Sequence, residues 1–130
     1  MVPERNWIPF FSSYPSNLIK VFNLLRKDLE KRTTNIREKF NIKSRYFGYG
    51  LEGSSDRVYI YVQRKKLVVD IDIHINQIKK QKEFTFSSRN NYQGRAGWVT
   101  GWEIPCSKLG QIQEIEEIVN VMCQALTGKP

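Results

Sequence analysis

Residues 89–102, RNNYQGRAGWVTGW, gather two arginines, a tyrosine and two tryptophans around glycines and asparagines. A guanidinium forks onto a phosphate or stacks on a base, and a phenol ring offers a flat stacking face. Arg89 and Arg95 flank a turn formed by Asn90, Asn91 and Gly94, where Asn tolerates left-handed backbone. Tyr92 lies between them. Trp98 and Trp102 are four apart, so on a strand they face one way, with Gly97 and Gly101 leaving room for the rings. The pattern assigns the tryptophans mainly to packing under a helix. It assigns Arg89, Tyr92 and Arg95 to a ligand, with Trp98 at the edge of that contact.

A second constellation is Asp70, Asp72 and His74. Strand periodicity puts all three on one sheet face, roughly 7 Å apart along the chain. Two carboxylates and an imidazole are possible cation ligands. Simple alternation on the wet face of a half-buried strand gives the same pattern, and no distal ligand completes a metal set. A restriction-type nuclease needs an acid and a lysine two positions apart on a strand, and none occurs here. His74 is the only histidine, neither cysteine sits in a nucleophile-like turn, and there is no GxSxG, phosphate loop or GxGxxG after a strand. The expectation is therefore a non-catalytic chain without a cofactor, with a metal-dependent enzyme using Asp70, Asp72 and His74 as the alternative.

Charge supplies the strongest constraint. The 130 residues carry 21 Lys+Arg against 13 Asp+Glu, a net +8. Residues 1–95 hold 19 of the cations and 9 of the acids, or +10, while residues 96–130 hold the remainder, or −2. A sided positive field attracts polyanions, nucleic acid first and anionic membrane surface second. Arg26, Lys27, Arg64, Lys65 and Lys66 join Arg89 and Arg95 as expected phosphate contacts. No apolar run is long enough to span a bilayer, and the opening residues do not read as a signal peptide. Cys106 and Cys123 fit reduced thiols better than a disulfide scaffold, so a cytoplasmic chain is expected.

These side chains need elements to hold them. Pro3, Pro9 and Pro15, with Trp7, Phe10, Phe11 and Tyr14 between, predict an extended arm over 1–15 that docks its aromatics. The arm is also the candidate surface for a protein partner or self-association. Leu18, Phe22, Leu25 and Leu29 predict a helix from Pro15 or Ser16. TTNIREKF (33–40) suggests a short helical turn, and 44–51 a strand or turn-strand with its glycines at a bulge or tight bend. Residues 57–75 read as a hairpin around the basic turn 64–66, and 83–86 and 97–105 as further strands. Ile112, Ile115, Val119, Met122 and Leu126 predict a closing helix, capped at Ser107 and stopped at Thr127-Gly128. The fold class is α+β, a single domain over 16–130: an antiparallel sheet of about four strands with the N- and C-terminal helices on one face.

The succession of helix, Tyr-rich strand with Tyr59 and Tyr61, Lys65-Lys66-Leu67 turn, Gly97-Trp98 loop, strand, and helix ending at Gln124-Ala125 resembles a bacterial and archaeal domain of unknown function. That domain is often fused behind restriction-endonuclease-like nucleases and is sometimes labelled a predicted transport protein. The likeness covers about residues 16–127. It implies a non-catalytic accessory module for nucleic acid or another partner. The Asn-rich loop before Gly94 and the Asp70–His74 strand depart from its pattern.

Overall fold

The stripe of Leu18, Phe22, Leu25 and Leu29 lies along helix α1, Ser16–Arg32, and all four side chains are fully buried. The computed structural model describes residues 1–74, 87–89, 98–99, 101–108 and 112–128. After α1 the chain runs as a meander of strands: β1 (Ile36–Asn41), β2 (Tyr46–Leu51), β3 (Val58–Val62) and β4 (Lys66–Ile71). Short strands β5 (Ile73–His74), β6 (Ser87–Arg89) and β7 (Trp98–Val99) precede β8 (Gly101–Pro105) and helix α2 (Ile112–Thr127).

Five antiparallel strands form the body of the sheet, in the order β1-β2-β3-β4-β8, and three-residue β6 extends it beyond β8. One strand more than expected comes from β1. Residues 36–41 pair in full register with β2, from Ile36 opposite Leu51 to Asn41 opposite Tyr46. Ile36 and Phe40 are four apart, a spacing that serves a helix face and a strand face equally well. Asn35, at φ 60, turns the chain into the strand. β5 pairs with β7 in a separate two-stranded ribbon.

Strand alternation delivers one apolar face. Phe47 and Tyr49, then Val58, Ile60 and Val62, then Leu67, Val69 and Ile71, and finally Ile104 stand in register and are buried. They share one core with the α1 stripe and with Ile118, Val119, Met122, Ala125 and Leu126 of α2. Both helices therefore cover the same face, the α+β arrangement expected. Gly128, at φ 69, ends α2. The expected cap Ser107 sits instead in a 3-10 turn, Cys106–Lys108, before α2 begins.

Residues 1–15 are not an extended arm. They coil into two 3-10 turns, Glu4–Asn6 and Ile8–Phe11, with Pro9 inside the second, where its fixed φ suits the turn. Trp7 is fully buried and meets Phe22 and Phe47 edge to face, at 5.3 and 5.5 Å between ring centroids.

One polar group breaks the apolar face. Glu38 of β1 points at the helices and accepts from Arg26 Nη2 at 2.5 Å, Arg26 Nε at 3.0 Å, the Tyr49 hydroxyl at 2.7 Å and the Val2 N–H at 2.9 Å. Arg26 Nη2 also donates to the Val2 carbonyl at 2.7 Å, and the guanidinium lies 5.2 Å from the Trp7 ring centre. Burial disfavours the Arg26 charge, but the hydrogen bonds and charge of Glu38 outweigh it and raise the pKa.

Removing one partner of such a pair leaves an uncompensated buried charge. Glu38→Ala is expected to cost about 3–5 kcal/mol in urea unfolding, and the paired exchange Arg26→Met with Glu38→Leu considerably less. Equal costs would contradict the assignment. Burial also pushes the Tyr49 phenol well above its usual range, with the Glu38 charge adding to the effect. The folded chain thus favours the protonated phenol. Its contribution is complete below the unfolded value, about 10, and is lost as pH rises beyond it. Tyr49→Phe is expected to flatten the decline of stability above about pH 10, measured by denaturation at stepped pH.

Candidate functional site

The antiparallel meander brings the 42–45 turn and the 63–65 turn to the same end of the sheet. Val62 N–H donates to the Arg45 carbonyl at 3.0 Å, and Cys106 N–H to the Lys65 carbonyl at 3.0 Å, which ties the end of β8 to them. This end carries Lys39, Lys43, Arg45, Arg64, Lys65 and Lys66, and neither 39–51 nor 57–69 contains an Asp or Glu. Among the described residues only Lys66 of the six has an ion pair, to Glu103 at 3.0 Å. Lys39, Lys43, Arg64 and Lys65 are exposed.

Two of these cations are seated on aromatic rings of the N-terminal turns. The Arg45 guanidinium lies 4.9 Å from the Phe10 ring centre and 5.9 Å from that of Phe11. Arg64 lies 4.8 Å from the Tyr14 ring and donates to Ser13 Oγ at 3.0 Å. A cation over a ring keeps its charge and loses freedom. Arg45 is itself in the left-handed region, at φ 54, a costly conformation for a residue with a Cβ. Its Nη1 donates to the Ile42 carbonyl at 2.5 Å, which closes the turn.

On the sheet face away from the helices, Tyr46 stands opposite Tyr61, with ring centroids 5.1 Å apart, and Tyr59 lies 5.9 Å from Tyr46. All three rings are half-buried. Gly48 and Gly50 are on this face too, in a strand with continuous register and no bulge. Their role is space. A Cβ on Gly50 would come within 2.6 Å of Arg37 Nη2 and 2.8 Å of the Ser55 carbonyl, and one on Gly48 within 2.8 Å of Asp56 Oδ2. The Arg37–Asp56 ion pair, at 2.6 Å, lies across these glycines.

The sequence-predicted contact set divides. Arg64, Lys65 and Lys66 come together at the basic end. Arg26 does not join them: it is 4% exposed and committed to Glu38. Lys27 is exposed on α1, 3.5 Å from Glu4. Arg89 pairs opposite Gly101, four residues along β8 from Pro105, or about 13 Å from the basic end. Tyr92 and Arg95 lie outside the described residues, as does the 83–86 strand candidate, and Trp98 pairs opposite His74 in the ribbon. Asp70, Asp72 and His74 do not share one continuous strand. Asp70 ends up buried in β4, Asp72 lies between strands with its N–H donated to Arg57, and His74 is in β5. Among the described residues no group of three or more His, Cys, Asp or Glu is placed to hold a metal ion. Cys106 and Cys123 are free thiols, and among the described residues no helix is long and apolar enough to cross a membrane.

Sequence reasoning missed Lys39, Lys43 and Arg45. The signal was the acid-free run 39–51, which a helical reading of 33–40 obscured. Comparison of the chain with protein-family models, curated proteins and solved structures gives no match.

Gly50→Ala tests how tightly the sheet face away from α1 and α2 is closed beside the site. A methyl group against backbone and a paired guanidinium is expected to cost about 1–3 kcal/mol in thermal or urea unfolding. An unchanged midpoint would show that Arg37 and Ser55 yield freely.

Proposed function

We propose that this domain is a non-catalytic module that binds nucleic acid through the basic end of its sheet. The observation that carries the reading is the meeting of two acid-free hairpin turns, which set six cations together with one carboxylate partner among the described residues. Phosphate contacts from Lys and Arg supply sequence-independent affinity, and each releases counterions. Arg45 and Arg64, already ordered over Phe10 and Tyr14, lose less freedom on gripping a phosphate than free side chains would. The expected resemblance to an accessory domain often fused to nucleases implies a module for nucleic acid or another partner. The reading does not need the 89–98 stretch.

Two rival readings have less behind them. A metal-dependent enzyme at Asp70 requires a carboxylate that is 1% exposed to reach a substrate. Self-association through the arm would use Trp7, Phe10 and Phe11, of which Trp7 and Phe11 are buried in the core of their own chain, while Phe10, still exposed, carries Arg45.

Fluorescence anisotropy with labelled oligonucleotides at about 50 mM and about 200 mM salt checks the proposal. Lys43→Ala with Lys65→Ala is expected to weaken binding and to lower the slope of log K against log salt by about 1.8 on duplex DNA. Lys27→Ala with Lys31→Ala, on α1, is expected to leave the slope nearly unchanged. No binding at low salt, or an equal effect of the two pairs, contradicts the basic end as the interface.

A further inference from the structure

We infer that the preferred ligand is a single strand, whose bases stack on the Tyr46–Tyr61 pair while its phosphates lie on the adjoining turns. This rests on the proposed nucleic-acid function and narrows it to one substrate class. Tyr46 directly follows Arg45, and Tyr61 precedes Arg64 by three residues, so the aromatic pair and the cations are set by the same two turns. The two rings are cross-strand partners on the sheet face away from α1 and α2, 5.1 Å apart and inclined at 43°. Lys39, in register with Gly48 on the same face, stands on the β1 side of Tyr46 and is exposed.

That combination distinguishes between polyanions. A duplex presents phosphates outside and hides its base faces, so it can use the turns but not the rings. A single strand can use both, and stacking is tolerant of base identity because every base has a π face. An anionic bilayer uses cations around apolar tips that project. Here the exposed large hydrophobic residues beside the cations are Ile42 in the first turn and Phe10 beneath Arg45, whereas the three tyrosines lie along the sheet. Half-exposed aromatic rings next to the cations favour bases.

The test uses the full chain and anisotropy with oligothymidylate, oligouridylate and a duplex of equal length, plus co-sedimentation with phosphatidylserine vesicles. The wild-type chain is expected to bind the single strands more tightly than the duplex. Tyr46→Ala is expected to weaken single-strand binding about tenfold and leave duplex binding unchanged. Tyr46→Phe keeps the ring and is expected to bind as wild type, and thermal unfolding checks that each variant is folded. Equal affinity for single strand and duplex, with Tyr46→Ala affecting neither, overturns the stacking inference and leaves the basic interface standing. Binding to vesicles but to no nucleic acid overturns both.

Discussion

A charge placed in an apolar interior must find its counterion and its hydrogen bonds there, and the Arg26–Glu38 pair meets that demand by drawing four parts of the chain together. Arg26 comes from α1, Glu38 from β1 and Tyr49 from β2, while Val2 offers both its N–H and its carbonyl. Glu38 accepts four of these bonds, so the loss of any partner leaves a buried carboxylate short. The pair therefore fixes where β1 lies against α1. It also fixes where the N-terminal turns begin, since Val2 is held and Trp7 packs against the same guanidinium. Phe10, Phe11 and Tyr14 follow from that starting point. The rings that order Arg45 and Arg64 at the surface are thus positioned by an ion pair in the core.

The helices were legible because α1 and α2 bury single stripes at helical spacing, and the β3–β4 hairpin because β-branched residues alternate around a basic turn. What failed was the residue whose environment is made by distant sequence. Arg26 lies four after Phe22 and three before Leu29, which is on the buried stripe itself, yet its charge argued for solvent. Only Glu38, facing inward on a strand twelve residues later, makes that position acceptable. The same inward carboxylate disguised β1. A strand reading of 36–41 puts an acid among Ile36 and Phe40 on the core face, which local pattern alone disfavours. One long-range interaction accounts for both misreadings.

The site was legible in its chemistry and not in its membership. Arg64, Lys65 and Lys66 are adjacent in sequence and stay adjacent in space. Lys43 and Arg45 join them only through the β2–β3 pairing, where Tyr46 meets Tyr61. Arg89 is carried away by its register opposite Gly101. The overall +8 gave the sign of the field, while strand order decides where the field concentrates. The glycines of β2 show a similar split: they do not bend the strand, but make room for a carboxylate and a guanidinium lying flat across it.

The fold also separates its charges by use. Glu38, within the basic part of the sequence, is offset in the core by Arg26, and Asp70 is buried in β4. Asp56 is engaged with Arg37, and Glu103 with Lys66. Of these four described acids, two are inside the protein and two are matched at its surface. Five cations at the basic end remain without an ion pair among the described residues. Their mutual repulsion is softened by water and salt, since exposed charges interact weakly beyond a Debye length of about 10 Å. The folded state tolerates the cluster for that reason, and a bound polyanion relieves it directly. Ligand affinity and the cost of gathering these cations are then two sides of one electrostatic term, set by the arrangement of turns that the buried pair helps to hold.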